Sequence, residues 1–345
     1  MKFGVGLPTG MEGLVNPIPF FTPDQFCEAA RRAEALGYDS VWGNDHYAPQ
    51  DYVRQKYSAT PNLWEVLTVL TAVAAVTERV EIGTAVIVLP MRDLVTLARQ
   101  AATIDQLSGG RLLLGVGIGA YPEEYRAARP DLAGAHRGDM LDEGLSLLQR
   151  MFTETSVTHH GRYYQVEELE LQPKGVAGQV RVLIGGHHRR SIERAVQYGA
   201  GWIPGWRPLD EMAQWIRDLR TRAEEVGRDP QSLIVAPQFS CLIGSDHAGT
   251  EERYRSSGMV AHRISLARDG RDPMKSLHNN LIGGFDEVGE RIERLHQMGA
   301  DHLACTTFCV DTVEEWFEQI EMFATEVIAP YRRRHGIADP RVVTG

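Results

Sequence analysis

Cysteine is scarce: four residues, Cys27, Cys241, Cys305 and Cys309, in a chain of 345. None forms a CxxC pair or sits at Cys/His ligand spacing, which argues against a disulfide framework and a thiol-built metal centre. The pattern reads as reduced thiols in a cytoplasmic protein. Long apolar runs are missing as well. The longest, Thr84–Pro90, is strand-length and far short of the roughly 18 residues that a membrane span needs. Positive charge is in deficit, with 36 Lys+Arg against 46 Asp+Glu and a net charge of −10. No basic stripe with interleaved aromatics offers itself to nucleic acid. Any anionic ligand must therefore be met by local donors against an unfavourable global field. Internal repeats, low-complexity tracts and linkers are absent too, as are a Gly-x-Ser-x-Gly elbow, a phosphate-binding P-loop and a paired-carboxylate signature. His136, His159, His160, His262, His278 and His302 show no metal-ligand spacing, so no metal is expected, and apart from loop candidates near the site they read as structural or surface groups.

What is present is alternation. The start, Met1–Pro8, reads as a strand rather than a signal peptide, being short and glycine-rich. Thr22-Pro23-Asp24 caps a helix over Gln25–Leu36 that Gly37 closes. Strand and helix patterns then follow one another: strands at 40–42, 80–89, 111–116, 180–184, 201–203, 233–243 and 302–306, and helices at 63–76, 93–107, 136–152, 191–198, 209–226, 285–298 and 313–329. Such sustained alternation predicts a parallel sheet. With eight strands and no Gly-rich dinucleotide fingerprint after the first, a closed (β/α)8 barrel is expected, one domain over 1–345. The segments 47–62, 117–135 and 244–284 exceed ordinary βα loops, and 156–172 alternates around Gly161 as a β-hairpin would. Loops this long are usually functional, and barrels carry their active sites where strands end.

Four groups of residues carry candidate chemistry. Asn44-Asp45-His46-Tyr47 follows the second strand, where a histidine can orient substrate or act as acid/base; Asp45 either fixes its tautomer or caps a turn. Gly115-x-Gly117-Ile118-Gly119 ends another strand, where glycines let backbone amides approach a ligand or simply make a tight turn. Ile184-Gly185-Gly186-His187-His188-Arg189-Arg190-Ser191 leads a strand into a helix N-terminus, a setting that favours phosphate. The plainer reading is a capped helix with a solvated basic turn. Trp202 and Trp206, set among Gly and Pro, wall a pocket or pack the core.

An ordered set of motifs resembles the luciferase-like superfamily of bacterial luciferase, FMN-dependent monooxygenases and F420-dependent oxidoreductases. The set comprises Tyr38-Asp39-Ser40-Val41-Trp42, Gly83–Pro90, Thr103–Arg111, Leu114–Gly119, His160-Gly161-Arg162-Tyr163-Tyr164, Ile184-Gly185-Gly186 and Gly284-Phe285-Asp286-Glu287-Val288. The resemblance spans residues 3 to about 325 and implies an oxidoreductase with a flavin or deazaflavin. It places a cis non-prolyl peptide at Ala85–Val86 behind the ring, the 117–119 loop beside the ring or its ribityl chain, and the family's active-site histidine at His46.

Within that resemblance Asp45-His46 is similar to the F420-dependent branch, whereas the luciferase branch carries Glu-His-His. The arginine with which luciferase holds the FMN phosphate falls at Ile118. Coenzyme F420 is the cofactor taken, with FMN/FMNH2 as the alternative. The F420 reading implies hydride transfer to or from a small metabolite; the FMNH2 reading implies oxygenation, with a separate reductase. The glucose-6-phosphate dehydrogenase pattern is broken at Gln50 and Ile118, so a sugar phosphate is not expected. Phe20, Tyr47, Tyr121 and Trp206 are expected to edge a pocket for an apolar or aromatic substrate. A non-catalytic flavin binder is the third reading, disfavoured because all eight βα units are kept. A homodimer through barrel helices is what the family implies.

Overall fold

A computed structural model describes residues 1–132, 134–205, 208–265 and 279–341. The strands are β1 (Lys2–Gly6), β2 (Ser40–Gly43), β3 (Glu81–Thr84), β4 (Ile87–Val88), β5 (Leu112–Gly117), β6 (Val157–His160), β7 (Gln165–Leu169), β8 (Arg181–Gly185), β9 (Gly201–Ile203), β10 (Ile234–Val235), β11 (Gln238–Ile243), β12 (Leu281–Gly283) and β13 (His302–Phe308). Apart from the antiparallel β6–β7 hairpin, every pairing is parallel. The main path runs β10-β9-β8-β5-β3-β2-β1-β13-β11-β12.

The segment 234–243 closes the ring. Ala236 N donates to Trp202 O at 2.9 Å on one side, and Ala304 N donates to Pro237 O at 2.9 Å on the other. β10 and β11 are thus two halves of one strand, interrupted where Pro237 has no N–H to give. β3 and β4 are likewise halves of the predicted strand 80–89. The Ala85–Val86 peptide between them is cis, so β4 resumes against β5 in the register Ile87↔Val116. β12 pairs with the late part of β11 and sits on the rim.

The helices pack outside the ring for ordinary reasons. Leu94–Leu107 begins where the Asp93 side chain accepts Thr96 N at 2.8 Å. It turns Leu94, Leu97, Ala98, Ala101 and Ile104 inward at three- and four-residue spacing. Its buried Asp105 accepts Val176 N at 2.8 Å, tying that helix to the segment entering β8. Within the ring a separate small core forms from Trp42, Leu113, Leu183, Ile203, Ala236 and Ala304, filling the barrel as inward side chains do.

The insertions bear their own structure. Residues 47–62 contain the helix Asp51–Lys56, residues 117–135 the helix Pro122–Ala128, and residues 244–284 the helices His247–Ser256 and Gly258–Ser265. They follow β2, β5 and β11, so they stand together at the strands' C-terminal ends. No helix among the described residues is long and apolar enough to cross a membrane.

Candidate active site

At that face lies a cavity of about 240 Å³, bordered by residues that leave β2, β3, β5, β9, β11 and β13. One wall is small and apolar: Ala85, Val86, Val88, Gly119, Ala120 and Gly205. Met11, Phe239 and Met259 add apolar surface, and Asn44, His46, Tyr121 and His262 bring polar atoms. The volume lies just under the roughly 300–1,000 Å³ of small-ligand sites, a size for a ring rather than for an entire dinucleotide-sized ligand.

Three consecutive residues after β2 each hold something different. Asn44 Nδ2 donates to the Ala85 carbonyl at 2.9 Å, fixing one side of the cis link. Asp45 holds the other side: Oδ2 accepts Val88 N at 2.9 Å, and Oδ1 accepts Arg92 Nη2 at 2.6 Å. Arg92 also reaches Glu65 Oε1 at 2.8 Å, and Glu65 in turn caps the helix Val66–Val76. His46 instead pairs through Nδ1 with Glu124 Oε1 at 2.8 Å. Of the two uses expected for Asp45, the tautomer role therefore belongs to Glu124, and Asp45 is a brace.

Glu124 lies in the first turn of the helix Pro122–Ala128, with only 4% of its side chain exposed. It accepts Gln50 Nε2 at 2.6 Å and Tyr47 N at 3.2 Å besides His46. Burial disfavours a charged His46, but the hydrogen bond from Glu124, its charge and that of Asp45 outweigh it and raise the pKa above the ordinary 6.5. Among the described residues no hydrogen bond engages Nε2, so the ring presents its second nitrogen for proton exchange. Burial pushes the thiol of Cys305, which lies 3.7 Å from Asn44 Nδ2, up to about 12, against the weaker pull of Asn44 and Thr307, so it borders the cavity as a neutral group.

Two of the predicted glycines serve Val86. A Cβ at Gly117 would stand 2.8 Å from Val86 Cγ2, and one at Gly185 would stand 2.7 Å from Val86 Cγ1. They make room for the side chain that the cis link turns between β5 and β8, and neither borders the cavity. Of the 117–119 loop only Gly119 does; Ile118 is exposed, its carbonyl accepting the Tyr125 hydroxyl at 2.8 Å.

The expected phosphate cradle is arranged around itself. The helix begins at Arg189, with His188 as its cap, two residues before the predicted start. Gly186 has φ +136°, and its carbonyl accepts Trp202 Nε1 at 2.8 Å, which places Trp202 in the core. Arg189 faces Glu193 at 3.7 Å, and Arg190 faces Asp139 at 3.8 Å, all on the exposed surface. His187 lies 3.5 Å from where a Gly205 Cβ would be, just behind the cavity wall.

Tyr121 borders the cavity as predicted. Tyr47 does not: its ring lies beneath the Arg92 guanidinium at 5.7 Å and packs with Val88, Met91 and Tyr125. Phe20 stacks on Phe21 in the core. Trp206 lies outside the described residues. Sequence reasoning missed Glu124 and Arg92, and it gave His262 no role of its own, leaving it among histidines read as structural or surface groups unless a loop brought them near the site. An acidic residue just after a proline at a helix start was visible at Glu124, but nothing tied it to a histidine 78 residues away.

The family model for luciferase-like monooxygenases matches residues 1–321. The chain belongs to that family. It is 28% identical over 238 residues to the F420-dependent hydroxymycolic acid dehydrogenase of Mycobacterium tuberculosis, covering 68% of this chain and 64% of that protein. To pyrimidine monooxygenase RutA of Allorhizobium ampelinum it is 24% identical over 328 residues, covering 85% and 87%. The solved monooxygenase RslO1 of Streptomyces bottropensis shares the fold, with a TM-score of 0.78, 21% identity and coverage of 96% and 100%. This luciferase-like chain is accordingly an oxidoreductase, and its relatives divide between F420 and flavin chemistry.

Proposed function

We propose that the protein is an F420-dependent oxidoreductase that passes a hydride between the deazaflavin and a small apolar or aromatic metabolite. The observation that carries this reading is the His46–Glu124 pair at the edge of a cavity walled by the Ala85–Val86 link. It is a proton carrier beside an apolar wall on which a planar ring can lie. The small residues Ala85, Val86, Gly119, Ala120 and Gly205 fit such a ring, and Asn44 and Asp45 brace the strand behind it. The ring, when bound, supplies or takes the hydride. The protein's own work is to hold it, keep water out and move a proton through His46 Nε2.

Against a dianionic FMN phosphate stand two features: exposed Ile118 replaces the luciferase arginine, and Arg189 and Arg190 are engaged with acids away from the cavity. The similarity to pyrimidine monooxygenase over 85% of the chain favours the second reading, an FMNH2-dependent monooxygenase served by a separate reductase. Equilibrium binding followed by ultraviolet-visible spectra separates the two. F420 is expected to bind and FMN to be ignored; tight FMN binding with F420 ignored overturns the cofactor choice. His46→Ala is expected to leave cofactor binding intact and to lower turnover by about 10²-fold, the scale of a lost acid/base group.

A further inference from the structure

Tyr121 separates two histidines of the cavity, its ring centroid 6.1 Å from His46 and 6.2 Å from His262. His262 sits on the helix Gly258–Ser265, and all three insertions meet at its ring. Its Nδ1 is 2.9 Å from the Tyr121 hydroxyl and 3.3 Å from the Tyr52 hydroxyl. Among the described residues no hydrogen bond engages Nε2, and the ring borders the cavity.

We propose that His262 anchors the reacting oxygen of the substrate as a neutral imidazole, donating Nε2–H into the cavity, while His46 carries the proton. This rests on the hydride-transfer reading above and narrows its substrate to a carbonyl compound or the corresponding alcohol.

The tautomer is part of the proposal, and donor counting allows it. A phenol has one proton to donate, and a neutral imidazole has one acceptor nitrogen. Burial raises the pKa of Tyr121 and of Tyr52, so both hydroxyls keep their protons. We take Tyr121, the nearer, as the donor to Nδ1, which puts the single ring N–H on Nε2; the opposite sense, Nδ1–H to the phenol oxygen, is the outcome that the test below would detect. The ring is also kept uncharged. Burial, the adjacent Arg263 charge and the His46 charge push its pKa well below the ordinary 6.5. The groups facing it are Tyr52, Tyr121, Arg263 and His46, with Ser265 on its own helix donating to the His262 carbonyl at 2.7 Å. No carboxylate bonds its ring among the described residues. Two histidines at one cavity are thus driven in opposite directions, the arrangement by which one site holds both an acid and a neutral donor.

In the reducing direction, a bound reduced deazaflavin would supply the hydride pair for the new C–H bond at the carbonyl carbon. The C=O π pair would move to oxygen, where the His46 imidazolium would release its Nε2 proton. The His262 N–H stays bonded to that oxygen throughout and stabilises the charge that develops on it. Oxidation of the alcohol runs the same atoms backwards.

Nitrogen-15 and proton NMR of the histidine rings in the full chain tests this without turnover, with acetophenone as the carbonyl probe. His262 is expected as a neutral Nε2–H ring across neutral pH, with that proton moving downfield as acetophenone is added. Tyr121→Phe, a change at a positioning residue, should let the Nδ1–H form appear. His262→Leu should lower turnover by about 10²-fold, as loss of one oxyanion donor does, with cofactor binding unchanged and His262→Gln recovering part of the rate. An imidazolium, an Nδ1–H ring in the unaltered protein, or a signal that acetophenone leaves unmoved overturns the proposal. Failure to bind F420 with the His262 tautomer as described overturns only the cofactor reading.

Discussion

Asp45 and His46 are neighbours in sequence, and each is paired with an oppositely charged partner from a distant segment, yet the two pairs do different work. Asp45–Arg92 joins a carboxylate to a guanidinium, and both sit almost wholly inside, with side-chain exposures of 5% and 11%. Each partner is tied further, Asp45 to the Val88 amide and Arg92 to Glu65. The pair holds the chain just beyond the Ala85–Val86 link, at Val88 and Arg92. His46–Glu124 joins a carboxylate to an imidazole, a group that can lose its charge, and the histidine keeps one nitrogen for the cavity. A charge fixed on both sides suits a brace, and a charge that one partner can give up suits proton transfer.

If that division holds, the largest effect belongs to the brace. Arg92→Ala leaves Asp45 buried without its cation and also removes a partner of Glu65. Breaking a buried pair by deleting one partner costs about 3–5 kcal/mol, and denaturant unfolding should read a loss of that size. Retained stability in this variant would show that the cavity wall stands without the pair. Glu124→Gln comes next and should act on chemistry rather than on folding. It keeps the shape of the side chain and removes its charge, so the His46 pKa falls and less of the ring is charged at neutral pH. Turnover should drop by about 10²-fold, and the histidine's titration, followed by NMR, should move to lower pH. Unchanged titration would mean that Glu124 merely orients the ring.

How much of this the sequence disclosed follows from how locally each feature is encoded. The strand–helix alternation is a periodic signal within each segment, so the parallel barrel was legible almost to the residue, as in the helix 94–107 expected from 93. His46 was legible because the end of a barrel strand is a place of known meaning, and the cis link because the run 83–90 resembles a family strand. Tyr47 was misplaced because adjacency along a loop does not fix direction: one residue beyond His46 the side chain turns outward under Arg92. Glu124 and His262 come from separate insertions whose helices, of seven and eight residues, are too short to carry a sequence period that would mark them. Only folding brings them to the ring that Tyr121 divides.

The smallest effect distinguishes the two pairs by pH. The His46 pKa is raised in the folded state. Its pairing with Glu124 therefore stabilises the fold fully below the ordinary value of 6.5, and that contribution is lost as pH rises through the raised value. Asp45–Arg92 contains no histidine and is expected to have no part in the change. The unaltered protein should lose stability between slightly acidic and slightly alkaline pH, measured by denaturant unfolding at each pH. Glu124→Gln should flatten the profile, while Arg92→Ala should lower it evenly. An Arg92→Ala profile that loses its slope would show that the two pairs are one coupled network, and the brace and the proton carrier could no longer be treated separately.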